Sequence, residues 1–469
     1  MTLSSESTDR GFSDGDRGQL HGMPAVLWFR RDLRLADLPA LLAAADEDGD
    51  VLACYVLDPR LEASAGARRL QYLYDALRDL RDGLDGRLLV TRGDPRTRIP
   101  EVVRSVGAAS VHVSEDFTPF GMRRDEQVRD ALGDGVDWVA TGSPYLVSPG
   151  RVTKTDGTPY KVFTPFFDAW RRHGWRSPAE SGRDSARWID PADVSGVAGV
   201  GDIPDAGETL DLPAGEQAAR TQWRAFVEDG LAGYADDRNR PDLAATSRMS
   251  AHLKFGAIHP RTLAVDLGRG KGGQAYLREL AFRDFYASAV THWPRSTWWN
   301  FNTAFDAIEV DDGSDAQAAF EAWKAGRTGY PIVDAGMRQL RESGFVHNRV
   351  RMIVASFLVK DLHLPWQWGA RWFLDQLVDG DMANNQHGWQ WAAGCGTDAA
   401  PYFRVFNPTT QGKKFDPSGV YVKRWVPELA DVADVHNLDA DRPEDYPQPI
   451  VDHGQEREEA LRRYNAIRG

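Results

Sequence analysis

The sequence predicts two domains: an N-terminal α/β domain built on a parallel sheet, and a C-terminal all-helical domain, joined by a long linker. Three observations carry this reading. At 469 residues the chain exceeds what one hydrophobic core usually serves, so two domains are the default. From Pro24 to about Gly142, short apolar runs alternate with amphipathic stretches, the pattern of a parallel sheet covered by helices on both faces. After Ala214 the period lengthens to that of helices. In RVRMIVASFLVKDL, Val350, Ile353, Val354, Phe357 and Leu358 recur at i, i+3, i+4, i+7 and i+8, marking one buried face.

In chain order, residues 1–22 are a polar stretch expected to be a disordered leader. It lacks the apolar segment of a secretory signal, and Met23 serves as well as Met1 for a start. Residues 23–142 hold the strand-like runs AVLWFR, VLACYVLD, RLLVTRG, SVHVSED and VDWVATG, with RRLQYLYDALRDLRDGL as an amphipathic helix. No G-x-G-x-x-G fingerprint occurs in this Rossmann-like half, so any cofactor site must be built differently. Over 143–213 periodicity fades and Pro, Gly and Asp accumulate, the composition of a surface linker. Residues 214–469 form the helical domain.

Composition narrows the function classes. Hydrophobic residues make up 42% and charged residues 27%, as in a globular protein. The net charge of −13 means that nucleic acid must be gripped by a local basic patch on an acidic body. The two cysteines, Cys54 and Cys395, have no metal spacing and imply a reducing, cytoplasmic setting. No apolar run approaches ~18 residues, so no membrane span is expected. Sixteen tryptophans are an excess that core filling alone does not demand.

Four polar constellations occupy the helical half. In GYADDRNRPDLAATSRMSAHLKFG, the hydroxyls of Thr246, Ser247 and Ser250 crowd the start of a helix, with Tyr234, Arg238 and Arg248 nearby. They suit a phosphate at a helix N-terminus or, more simply, ordinary capping. Glu279, Phe282, Arg283 and Tyr286 share one helical face, either as a cavity wall or as a surface Glu–Arg pair. In FVHNRVRMI, Asn348 and Arg351 stand one turn apart opposite the apolar face, while Arg349 points elsewhere. The run DGDMANNQHGWQWAAG adds Asp379, Asp381, Asn385, Trp389 and Trp391. Its acids allow metal binding, paired-carboxylate hydrolysis or turn capping, although His387 fits no metal spacing.

The motifs TGYPIVDAGMRQL, HNRVRMIVASFLVKDL, DGDMANNQHGWQWAAG and TDAAPYFRVFNPTTQGKKFDPSGVYVKRWVPEL, with VLWFRRDLRLAD near the start, resemble the photolyase/cryptochrome family, specifically class I cyclobutane pyrimidine dimer photolyases. The resemblance runs from Pro24 to the C-terminus. It implies that the helical domain binds FAD. Tyr234, Thr246, Ser247 and Ser250 would hold the diphosphate, while Asn348, Arg351, Asp379 and Asp381 would surround the ring system and adenine. Asn385 would face flavin N5, where plant cryptochromes carry an acid; the amide sides with repair. The implied reaction is light-driven electron transfer from reduced FAD to a dimer flipped out of UV-damaged DNA. Glu279 would hydrogen-bond that dimer, Phe282 and Trp391 would stack on it, and Met352 would touch it. Arg349, Lys161 and Lys414 would grip phosphates.

Two departures from the family stand out. Phenylalanine occupies position 282, where tryptophan is usual, so weaker dimer binding is expected. Trp389 and Trp366 match the inner members of the tryptophan chain that reduces the flavin, but the outer position falls near Gly313, which has no indole. The chain would then end through Trp323 or Trp391, or work slowly. The motif EDFTPFGMRRD resembles an antenna site for 8-hydroxy-5-deazaflavin, with methenyltetrahydrofolate as the alternative. A monomer with no obligate protein partner is expected, and the runner-up function is a cryptochrome-like photoreceptor.

Overall fold

The computed structural model describes residues 22–398, 403–438 and 441–468. The leader expected over 1–22 lies, but for Gly22, outside the described residues. Six parallel strands form the N-terminal sheet: β1 (Ala25–Phe29), β2 (Asp50–Leu57), β3 (Leu88–Arg92), β4 (Ser110–Val113), β5 (Asp137–Ala140) and β6 (Arg187–Trp188). The spatial order is β3-β2-β1-β4-β5, with β6 paired to the start of β2. Alternate residues of β1 and β2 feed opposite cores. Leu27, Phe29 and Ala53 pack on one face, and Val26, Trp28 and Cys54 on the other, as burial of both sheet faces requires.

The linker holds more structure than its composition suggests. It supplies β6 and a helix, α1 (Phe163–His173), whose Phe163, Phe166 and Trp170 are buried in the helical domain. The helices that build the site are α2 (Ser250–Phe255), α3 (Lys271–His292), α4 (Gly313–Ala325), α5 (Asn348–Lys360), α6 (Trp366–Gln376) and α7 (Met382–Ala393). The helix that follows the hydroxyl cluster is short, ending at Phe255. Gly256 takes the left-handed conformation after Phe255, and a separate helix starts at Pro260.

The turn after β1 ties the halves together. Leu33 N–H donates to Phe255 O, and the Arg34 guanidinium donates to Gly256 O. Asp37 takes two bonds from Arg261, at 2.9 and 2.7 Å. Among the described residues, no helix is long and apolar enough to cross a membrane.

Candidate functional site

A cavity of about 570 Å³ opens among α2, α3, α5 and α7. Its wall collects most of the residues that the sequence singles out. Tyr234, Thr246, Ser247 and Ser250 line one part, and Asn348, Arg351, Asp379, Asp381 and Asn385 another. Glu279, Phe282, Arg349, Met352, Trp389 and Trp391 complete it. Trp366, Lys161 and Lys414 lie outside this wall.

The hydroxyl cluster is not spent on capping. The residue before α2 is Met249, which offers no side-chain cap, and Arg248 before it has a φ of 53°. Ser247 Oγ lies 2.8 Å from the Tyr276 hydroxyl and accepts from Met249 N–H at 3.3 Å. The Thr246 and Ser250 hydroxyls make no hydrogen bond among the described residues and remain free for a ligand.

The α3 face is a cavity wall rather than a surface pair. Arg283 donates to Pro144 O and Leu253 O and lies over the Tyr145 ring, so it does not meet Glu279. Phe282 stacks on Phe163 at 3.5 Å between centroids, with the planes 5° apart. One face of Phe282 is therefore already covered, which leaves the other face and its edge for a substrate.

At the other end, Arg351 donates to Val346 O at 2.8 Å and grips both Asp379 oxygens, at 3.1 and 2.8 Å. Asp381 caps α7, accepting from Asn384 N–H at 3.1 Å, and pairs with Arg31 of the α/β domain at 2.6 Å. Burial alone would raise the Asp381 carboxyl, but Arg31 and Lys254 hold it well below the usual carboxylate range. Burial, with Arg31 next to it, pushes the Lys254 ammonium down to about 7. Asn385 Nδ2 donates to Ala370 O and Gln386 Oε1, leaving its carbonyl oxygen as a bare acceptor at the cavity wall. Gly388 lines the same wall, and a Cβ added there would meet nothing within 4 Å.

The metal and hydrolase readings find no support in this geometry. No group of three or more metal-capable side chains occurs among the described residues. His387 is fully buried, stacks on Tyr286, and is pushed by burial down to about 4, so it is a neutral packing residue. The two carboxylates each have a cationic partner. The donor set instead fits FAD: unbonded hydroxyls for phosphates, a fixed arginine and acid for the ring system's polar edge, and an open cradle at Gly388.

The aromatic route differs from its expectation. Trp389 meets Trp323 edge-on at 6.1 Å, but Trp323 is 0% exposed and donates to Val354 O. Trp323 therefore cannot be the solvent-facing end. It stacks on Phe320, which touches the partly buried Trp368 at 5.3 Å. Trp366 is buried and donates to Asn300 Oδ1 at 2.9 Å. Gly313 opens α4 and is exposed.

Of the basic candidates, Arg349 and Lys414 converge on the Phe415 ring, at 4.4 and 5.2 Å. Lys161 is exposed elsewhere, over Trp293 and Phe301, although its carbonyl accepts from Asp398 N–H at the cavity loop. In the α/β domain, Arg124 of EDFTPFGMRRD pairs with Asp116 and Asp125 of the same motif, and Asp125 also meets Arg30 at 2.7 Å. Asp116 meets Arg124 at 3.3 Å, and Thr118 caps the following helix. Sequence reasoning missed Lys254, which lines the cavity, and Arg31, which reaches it through Asp381, because long-range packing brings them there; it also missed Gly388, which shares the Asn385 face of α7 but has no side chain to draw notice.

Residues 25–182 match the family described as DNA photolyase, and residues 276–466 match the FAD binding domain of DNA photolyase. The deoxyribodipyrimidine photo-lyase of Halobacterium salinarum is 40% identical, with 95% of this chain and 99% of that protein covered. That of Escherichia coli is 37% identical, with 94% and 98% covered. A class III photolyase from Agrobacterium tumefaciens has a TM-score of 0.85 at 33% identity, over 98% of this chain and 99% of that one. A Synechocystis cryptochrome has a TM-score of 0.85 at 27% identity, covering 94% and 99%. An archaeal photolyase from Sulfolobus tokodaii, solved with two FAD molecules, has a TM-score of 0.83 at 30% identity, over 95% of this chain and 100% of that one. The chain belongs to the photolyase/cryptochrome family and carries that family's FAD-binding domain.

Proposed function

We propose that the protein is a deoxyribodipyrimidine photo-lyase of the class I type, splitting cyclobutane pyrimidine dimers in DNA under blue light. One observation carries the reading: a single cavity wall joins the FAD-type set (Arg351, Asp379, Asn385) to the lesion-type set (Glu279, Phe282, Met352, Trp391). Neither set alone explains the other's presence.

FAD, when bound and reduced, supplies the light-excited electron donor. The chain's own residues do the rest. Tyr234, Thr246, Ser247 and Ser250 hold phosphates, and Arg351 and Asp379, fixed by each other, hold the ring system with Asn348 and Asp381. The free carbonyl oxygen of Asn385 accepts a hydrogen bond and has no proton to give, so it does not quench negative charge by protonation. Glu279 hydrogen-bonds the dimer and steadies the charge it gains, while Trp391 and the open side of Phe282 stack on it and Met352 fills the contact. Arg349, Lys414 and Lys161 grip phosphates on either side of the mouth. Trp389, with Trp366, carries electrons inward to keep the site reduced. Proton and nucleophile chemistry is not needed, because the electron returns after the ring splits.

A second chromophore, 8-hydroxy-5-deazaflavin or methenyltetrahydrofolate, is proposed for the α/β domain on the EDFTPFGMRRD motif, and a monomer is the proposed state. The likeness to a cryptochrome favours one competing reading, a blue-light photoreceptor with the same FAD site. Illuminating the reduced, FAD-loaded protein with dimer-containing DNA separates the two. Dimers should disappear under blue light and persist in the dark; persistence in both sinks the repair reading.

A further inference from the structure

Glu279 is not free in this structure. Its Oε1 is buried and lies 2.6 Å from Arg238 Nη1, yet receives no well-directed hydrogen bond. The two side chains are 28% and 31% exposed, so the pair is held by loose coulombic contact and is easily exchanged. Arg238 leaves a one-turn helix at Tyr234–Asp237, its guanidinium 5.9 Å from the Tyr234 ring.

Arg349 stands close by. It donates twice to Asn239 Oδ1, the residue after Arg238, at 3.1 and 2.7 Å. Burial, and then the charge of Arg238, lowers its pKa. Among the described residues, no carboxylate pairs with Arg349 or Lys414. Arg238 and Arg349 line the cavity, with Lys414 beside Arg349 over Phe415, against the acids Glu279 and Asp398, on a protein whose net charge is −13. Such an excess of cations suits a phosphodiester, whose oxygens accept charge-assisted hydrogen bonds from a guanidinium with better geometry than Glu279 offers.

We propose that Arg238 is a positioning residue that changes partner. In the free protein it holds Glu279; a strand phosphate displaces that carboxylate and sits between Arg238 and Arg349, releasing Glu279 toward the cavity. The inference rests on the lesion-site reading of this cavity and adds a coupling to it: Glu279 becomes available only when a strand is docked. No bond is made or broken, and Glu279 keeps its charge throughout.

The test measures binding of undamaged single-stranded oligonucleotide to FAD-loaded protein across a salt series, for wild type, E279Q, R238Q and the double variant. Bound flavin checks folding in each. E279Q should bind this strand about 3- to 10-fold more tightly with an unchanged salt slope, because Arg238 is no longer occupied, whereas R238Q should lower the slope by about 0.7, one phosphate contact on a single strand. R238Q should abolish the gain in the double variant, and R238K should restore it. No gain in E279Q, or a gain that survives in the double variant, overturns the proposal; survival would mean simple removal of a negative charge. The binding arm is independent of photochemistry. A gain that needs Arg238, in a protein that repairs nothing under light, would keep the exchange and discard the lesion role of Glu279.

Discussion

Gly388 offers a substitution with opposite signs in two measurements. It lies inside α7, one residue before Trp389, on the cavity wall. A Cβ there meets no atom within 4 Å, so the protein itself has room for it. In FAD-depleted protein, Gly388→Ala should therefore stabilise the helical domain by about 0.4–1 kcal/mol, because alanine restricts the unfolded chain and favours the helix. The same methyl projects into the space assigned to FAD. Overpacking a close-fitting contact by one methyl costs about 1–3 kcal/mol, which is roughly 5- to 150-fold in Kd. Denaturant titration of the depleted protein and fluorescence titration with FAD give the two numbers. Tighter folding with weaker FAD binding is the expected pair. FAD affinity unchanged within twofold would show that the cofactor does not pack on α7 at Gly388, and the assignment of this wall would fall.

Gly369→Ala should behave in the contrary way. Its Cβ would lie 2.5 Å from Trp389 Cζ3 and 2.7 Å from Cζ2, so the depleted protein should lose about 1–3 kcal/mol, read from the same denaturant titration. Trp323→Phe should slow photoreduction of oxidised, FAD-loaded protein by reductant, since Trp323 is the indole in edge contact with Trp389; an unchanged rate eliminates that route. Lys360 gives a pH signature. Burial lowers its ammonium to about 7, so between pH 7 and about 8.5 the unfolded chain holds a proton that the folded chain has lost. Folded stability should therefore rise with pH across that window, with Lys360 contributing up to ~1.36 kcal/mol per pH unit. Lys360→Met should flatten the slope measured by denaturant titration at each pH. Above that window the buried thiols of Cys54 and Cys395, which burial pushes up, act in the opposite direction.

The parallel sheet was legible because burial on both faces demands largely apolar runs, which β1 to β4 supply, while the edge strand β5 is only half-buried. β6 was not, since two residues, Arg187 and Trp188, carry no period at all. Likewise, α1 was hidden in a Pro- and Gly-rich context, although its Phe163, Phe166 and Trp170 are core. Within the site, helical spacing revealed Glu279, Phe282 and Arg283 as one face, and Asn348 with Arg351 as another. Spacing says which side chains share a face, not what lies opposite, so the Phe163–Phe282 stack, the Arg238–Glu279 pair and the burial of Trp323 emerge only from tertiary packing.

Arg31 crosses from the α/β domain to Asp381 with side chains only 17% and 11% exposed. An acid buried at the floor of one domain is thus neutralised by a cation that the other domain lends. Such an arrangement resists modular exchange. A light-gathering domain grafted from a relative would need an arginine in register after its first strand, or the helical domain would be left with an orphaned carboxylate beside its cofactor, a strongly destabilising state. The two halves must therefore be inherited, or engineered, as one unit.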